Sequence, residues 1–231
     1  MSRELPVHAV LFDLDGTLAD TAPDLAAALN RVRADRALPP MPLEALRPRA
    51  SDGTRGMLDA GLGVTRDHAE WETLKEAFLD YYAAGLAVRT RLFAGAEDAL
   101  AGIERRGLVW GVVTNKVARF TLPLLDHLSL ARRARVIVCG DTTPQTKPHP
   151  APLLHAANAI GIDARRCVYV GDAPRDVEAA RAAGMAALVA SYGYIAADIE
   201  PAAWAPDGLI ASLPALLDWL PREITPDMLR R

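Results

Sequence analysis

Val10-Leu11-Phe12-Asp13-Leu14-Asp15-Gly16-Thr17-Leu18 is the stretch from which the rest of the chain is read. Val7 to Phe12 is apolar apart from His8, the pattern of a buried strand. The run ends in two carboxylates, a glycine and a hydroxyl. Carboxylates are disfavoured inside a sheet unless a charged partner meets them. At the end of a parallel strand they face the crevice where open α/β sheets bind ligands. Asp13 and Asp15 are separated by one residue, so in extended geometry both lean to the same side. Gly16 then lets the backbone turn sharply. Two like charges this close favour a cation, and a hard divalent ion with oxygen ligands suits them. Taken alone, the same residues also describe a strand closing on an ordinary Asp-Gly turn.

Working outward, the chain first turns helical. Thr21-Ala22-Pro23-Asp24 combines a hydroxyl cap, a first-turn proline and an early acid, and predicts a helix to about Asp35. From Leu43 to Val88 only helical periodicity and short breaks are found. Trp71, Leu74, Phe78 and Tyr82 form an aromatic stripe at helical spacing, read as core. From Arg91 the character changes. Strands are predicted at Leu108–Thr114, Val136–Cys139, Val168–Val170 and Ala186–Val189, alternating with helices at Ala96–Arg106, Ala118–Leu128, Ala151–Ile160 and Asp176–Ala183. A short helix over Pro214–Leu220 follows. This alternation predicts right-handed βαβ crossovers and a parallel sheet that includes the first strand. The expected fold is α/β: a doubly wound, Rossmann-like parallel-sheet core from residues 1–19 and 90–231, with an all-helical cap domain inserted over 20–89. Pro221 to Arg231 lacks an apolar face and is expected to be mobile.

Composition excludes several classes. The 231 residues are 51% hydrophobic and 24% charged with a net charge of -3, so nothing global points to nucleic acid or an anionic membrane. No apolar run approaches the roughly 18 residues of a membrane span. Met1 to Pro6 carries charges and no apolar leader, so a cytoplasmic protein is expected. Cys139 and Cys167 sit in or beside apolar runs and read as buried free thiols.

The chemistry-bearing residues gather where the predicted strands end. Asp13 and Asp15 follow the first strand. Thr114-Asn115-Lys116 follow another, and Gly171-Asp172 a third, with Asp176 four residues on. Thr146-Lys147-Pro148-His149-Pro150 precedes a helix. Carboxylates, a lysine and a hydroxyl at one crevice make a site for a metal and an anion. A carboxylate can act as a nucleophile toward phosphorus. A divalent ion can neutralise a phosphate, and a lysine with a backbone-rich loop can hold its oxygens.

At these positions the sequence resembles the haloacid dehalogenase-like hydrolases. Asp13-Leu14-Asp15-Gly16-Thr17-Leu18 is similar to the family's first motif, Thr114 to its second, Lys147 to its third and Gly171-Asp172-Ala173-Pro174-Arg175-Asp176 to its fourth. Asp20-Thr21-Ala22-Pro23-Asp24-Leu25, Val113-Thr114-Asn115-Lys116 and Thr146-Lys147-Pro148-His149-Pro150 resemble the phosphoglycolate phosphatases of bacteria. Leu108 to Lys116, Arg119-Phe120 and Tyr192-Gly193-Tyr194-Ile195 also resemble the N-acetylmuramic acid 6-phosphate phosphatases. Both groups stay open on the sequence. The resemblance implies a Mg²⁺-dependent phosphomonoesterase. It makes Asp13 the nucleophile and Asp15 the acid, then base. Asp13, Asp15 through its carbonyl, and Asp172 become the metal ligands. Asp176 supports them or orients Lys147. Thr114 and the Asn115 amide hold the phosphate, and Lys147 stabilises the charged intermediate.

Substrate choice is expected in the helical insertion. Ser51-Asp52-Gly53-Thr54-Arg55 is the candidate loop, with Arg55 placed to pair with a substrate carboxylate; the alternative is that Arg55 and Arg49 are solvated surface charges. The expected partner is a small phosphorylated metabolite, with no nucleic acid and no membrane; a monomer and a homodimer are both compatible with the sequence. A dehalogenase would need neither Asp15 as an acid nor Asp172 as a ligand. A phosphosugar mutase on the same scaffold stays open, and a non-catalytic binding protein would lack one of the motif carboxylates.

Overall fold

The computed structural model describes residues 7–222. The readings made above for Met1 to Pro6, and for residues 223–231 of the final segment, lie outside the described residues. In chain order the elements are β1 (Ala9–Phe12), β2 (Ala19–Asp20), α1 (Ala22–Asp35), α2 (Leu43–Leu46), α3 (Gly53–Leu62), α4 (Trp71–Ala84), β3 (Arg91–Leu92), α5 (Ala96–Arg105), β4 (Val109–Val113), α6 (Ala118–His127), β5 (Ile137–Val138), α7 (Ala151–Ile160), β6 (Cys167–Gly171), α8 (Pro174–Ala182), β7 (Ala186–Ala190) and β8 (Gly208–Ile210). Two compact units are distinguished: the described residues up to Leu18 together with those from Leu92 on, and Ala19–Arg91.

The first unit is a six-stranded parallel sheet in the order β5-β4-β1-β6-β7-β8. Its first strand lies in the middle. From β1 the chain builds outward through β4 and β5 on one side, then returns to build β6, β7 and β8 on the other, which creates a switch point beside β1. All four β1 residues are fully buried, as their unbroken apolar run requires. Register places Phe12 level with Val112 and with Val170. Asp13, Thr114 and Asp172 therefore emerge from three adjacent strands at the same edge. Helix α7 contributes Leu153, Ala156 and Ala157, and α8 contributes Val177 and Ala180, to the cluster that packs with Leu11, Val138 and Tyr169. Each large apolar side chain buried this way stabilises the fold by about 1.5–3 kcal/mol.

The structure adds to the sequence reading in places. Strand β8 is three residues long, too short to show a period, and Pro214–Trp219 is a 3₁₀ rather than an α-helix. Proline occupies its first turn, where a missing N–H costs least.

The helical unit holds α1 to α4 around Leu29, Leu46, Met57, Leu58 and Phe78. The stripe on α4 is core: Trp71, Leu74, Phe78 and Tyr82 are buried, with Phe78 and Tyr82 stacked at 6.5 Å. Asp24 does more than favour the α1 N-terminus. Its carboxylate accepts from the Arg89 and Thr90 amides at 2.9 and 3.0 Å and from the Thr90 hydroxyl at 2.7 Å. Gly53 takes a φ of +58°, which explains a glycine where a 3₁₀ turn over Arg47–Asp52 passes into α3.

Cys139 and Cys167 are both free and buried. Burial pushes the Cys167 thiol up to about 12, and raises Cys139 as well. The thiolate is the reactive form, so at pH 8 both thiols are expected to stay silent toward 5,5′-dithiobis(2-nitrobenzoate) in the native protein and to react fully in denaturant. Native-state reaction of either thiol would contradict this.

Candidate active site

The site is built on the carboxyl edge of β1, β4 and β6. Asp13 is fixed first by its own backbone, whose N–H donates to the Val170 carbonyl at 2.9 Å. Its Oδ1 accepts the Leu14 amide at 2.7 Å and meets the Lys147 ammonium at 3.1 Å. Lys147 also reaches Asp176 Oδ1 at 2.8 Å, and its side chain is fully buried. The backbone of Lys147 is held by one side chain. Asn115 Oδ1 accepts from its N–H at 3.0 Å, and Asn115 Nδ2 donates to its carbonyl at 2.9 Å. The Asn115 side chain thus clamps the lysine loop to the end of β4. The Lys147-Pro148 peptide is cis.

Asp176 has two tasks. Its Oδ2 accepts the Ala173 amide at 3.0 Å, closing the N-terminus of α8, while Oδ1 faces Lys147. Burial raises its carboxyl above the usual range, and the Lys147 ammonium opposes that rise. The helix-start and lysine-orienting readings of Asp176 are therefore both present in one side chain. Asp172 is gripped from another direction. Its Oδ2 accepts the Tyr194 amide at 2.9 Å. Gly16 has φ of +79°, and a Cβ on it would lie 2.0 Å from that same oxygen. A Cβ on Gly193 would lie 2.4 Å from Asp172 Cβ. The Gly16 turn and the Tyr192-Gly193-Tyr194 loop close on Asp172 so tightly that only glycine fits at either position. Tyr192 ties the two together by donating to the Thr17 carbonyl at 2.9 Å.

Thr114 is buried and accepts the Lys116 amide at 3.2 Å. Lys116, which the sequence reading left without a task, pairs with Asp15 at 2.9 Å, and both side chains are nearly buried. Asp141 accepts the Ala118 amide at 2.9 Å and so caps α6, and His149 Nδ1 accepts the Ala151 amide at 3.1 Å at the start of α7.

Tyr169 is a further residue missed from the sequence. It is buried on β6, accepts from Lys147 at 2.7 Å and donates to the Val113 carbonyl at 2.7 Å. Burial, reinforced by Asp13 and Asp176, holds its phenol protonated well above the usual range. The available signal was a tyrosine among small and β-branched residues three positions before Asp172, since a buried phenol needs a partner.

The donors suit a hard cation. Asp13, Asp172 and Asp176 each offer a carboxylate oxygen within 4.8 Å of the others, and all three are buried. Lys147 is the single lysine among these three buried carboxylates, and the Arg175 guanidinium also acts on Asp176. Asp176 has both oxygens engaged, Oδ1 by Lys147 and Oδ2 by the Ala173 amide. Asp13 meets Leu14 and Lys147 through Oδ1, and Asp172 meets Tyr194 through Oδ2, so Asp13 and Asp172 are the carboxylates that could hold a metal. Asp15 turns its carboxylate to Lys116 instead. Arg55 belongs to the helical unit, where it lies 3.5 Å from Asp52 with its side chain 61% exposed; Arg49 pairs with Asp59 at 2.9 Å.

The chain also matches known proteins. The sequence profile of the haloacid dehalogenase-like hydrolases matches residues 10–190. The chain belongs to this family. Within it, the chain is similar to an N-acetylmuramic acid 6-phosphate phosphatase from Pseudomonas aeruginosa, at 42% identity over 96% of this chain and 98% of the relative. It is similar to a phosphoglycolate phosphatase from Xanthomonas campestris pv. campestris, at 46% identity over 93% of this chain and 96% of the relative. Among solved structures, one described as a predicted phosphoglycolate phosphatase from Haemophilus somnus superposes with a TM-score of 0.81 at 27% identity, covering 92% of this chain and 97% of that one. Among the described residues, no helix is long and apolar enough to cross a membrane.

Proposed function

We propose that the chain is a Mg²⁺-dependent phosphomonoesterase whose reaction passes through a phosphoryl group on Asp13. The observation that carries the proposal is the buried cluster in which Asp13 and Asp176 share Lys147 while Asp172 offers a carboxylate oxygen within 4.8 Å of theirs. Relatives named as phosphatases, at 42% and 46% identity, support it.

The residues divide the work as follows. Asp13 attacks phosphorus through one of its carboxylate oxygens. As that O–P bond forms, the ester P–O bond breaks and Asp15 gives its proton to the departing alkoxide. Asp15 then takes a proton from water, which attacks phosphorus and releases inorganic phosphate and the Asp13 carboxylate. Thr114 and the Asn115 backbone amide hold phosphate oxygens, and Lys147 balances the charge on Asp13. Asp13, the Asp15 carbonyl and Asp172 would hold Mg²⁺, which when bound would supply positive charge to offset that of the phosphate.

We assign 2-phosphoglycolate as the substrate, with N-acetylmuramic acid 6-phosphate as the second reading because relatives of both kinds match the chain over nearly its full length. We assign its work to the cytoplasm, as substrates that are small phosphorylated metabolites would suit. Phosphate release from each substrate, with Mg²⁺ and with EDTA, tests the assignment. Strong preference for one substrate identifies it, loss in EDTA supports the metal, and transfer without free phosphate would mean a mutase. The helical unit is assigned substrate choice, with Arg55 contacting the carboxylate that both candidates carry. Arg55→Ala is expected to raise KM for the carboxylated substrate about tenfold, with p-nitrophenyl phosphate turnover within about twofold of the parent. An equal loss on both substrates would reject that role.

A further inference from the structure

We infer that Tyr169 is a positioning residue for Lys147, its buried hydroxyl completing the set of acceptors that aims the ammonium at Asp13. The inference rests on the phosphatase reading above and concerns how its lysine is held. An ammonium has three N–H donors, and Lys147 meets three acceptors: Asp13 Oδ1 at 3.1 Å, Asp176 Oδ1 at 2.8 Å and Tyr169 Oη at 2.7 Å.

The direction of each hydrogen bond is fixed by chemistry. The Val113 carbonyl can only accept, so the Tyr169 proton points to it at 2.7 Å and a phenol lone pair faces Lys147. That carbonyl belongs to the residue before Thr114. The chain of contacts therefore runs from the β4 backbone through β6 to the lysine and on to the nucleophile. The residue type agrees. Lysine occurs at positions 75, 116 and 147 only, in a chain with 26 Lys and Arg together. A planar guanidinium fork does not present three converging donors to acceptors disposed around one nitrogen. With its donors already met, Lys147 acts on Asp13 and is not a free clamp for phosphate.

Having so few lysines makes the test direct. Protein labelled with ¹⁵N-lysine should give three side-chain ammonium signals, and Lys75→Arg and Lys116→Arg assign that of Lys147 by elimination. The Lys147 protons are expected to exchange with water much more slowly than those of Lys75, which is exposed and pairs with Glu72. Tyr169→Phe keeps the ring. It should speed that exchange at least tenfold and lower kcat for p-nitrophenyl phosphate about tenfold, with KM within about twofold. The Lys116 signal should not move. The inference is overturned if Lys147 protons in the parent exchange as fast as those of Lys75, a result that needs no variant to fold. It is also overturned if Tyr169→Phe leaves kcat or the Lys147 signal unchanged, or if it acts on KM alone. An inactive parent would instead sink the phosphatase reading, while the ammonium signals would still report the Tyr169–Lys147 contact.

Discussion

Asp13→Asn is expected to lower kcat by about 10⁴-fold or more while the protein stays folded. The amide is close to the carboxylate in size, and its oxygen can still accept the Leu14 N–H that now sits 2.7 Å from Oδ1. What it loses is a nucleophilic oxygen able to carry a phosphoryl group. It also removes one of the buried negative charges around Lys147, which retains Asp176 at 2.8 Å. Stability should therefore change little, and a thermal melt within a few degrees of the parent makes the activity loss interpretable. Acid quenching of the parent during turnover should trap a phosphoryl group on the protein, and quenching of the variant should trap none. If kcat falls by less than about tenfold, the nucleophile is a different group.

The membership of β1 in the parallel sheet was readable in advance because it combines an unbroken apolar run with two carboxylates, which the end of a parallel strand tolerates; its place in the middle comes from the strand order. Once β1 is central, the ends of β4 and β6 are its neighbours, and Thr114 and Asp172 follow from register alone. Asp13, Lys147, Asp172 and Asp176 do converge, and the Asn115 side chain joins them through the backbone of Lys147. The sequence could not show which charge meets which. Asp15 faces Lys116, not a second carboxylate, because the turn after β4 is pinned to Thr114 and Gly140 and delivers that lysine there. Nor could it show the support behind Asp172. Tyr192 and Thr17 are 175 positions apart, and their bond exists only because β1 and the loop after β7 end at the same edge. Local pattern reports burial and period, whereas pairings of this kind depend on sheet order. Short elements fail for a simpler reason: β8 has too few residues to display an alternation.

Removing Lys147 should damage stability and activity together, and the two losses are separable. Its side chain is fully buried between Asp13 and Asp176, which are themselves buried. Deleting one partner of a buried ion pair leaves an uncompensated charge and costs about 3–5 kcal/mol. Lys147→Met keeps the length and apolar stem, so a loss of that size in urea denaturation with EDTA present would be electrostatic rather than a cavity effect. It should also lower kcat by about 10³-fold, near the effect of losing a preorganised electrostatic donor. Adding Asp176→Asn removes one of the two stranded charges while an amide oxygen still accepts the Ala173 N–H, 3.0 Å away in the parent. The double variant should regain roughly half of the lost stability, because one buried carboxylate no longer needs a cation. It should regain none of the activity, because Asp13 still lacks the charge beside it. Recovery of stability alone would mean that Lys147 serves the fold and the reaction through two different carboxylates. Failure to recover stability would mean that its stem, not its charge, holds the site together.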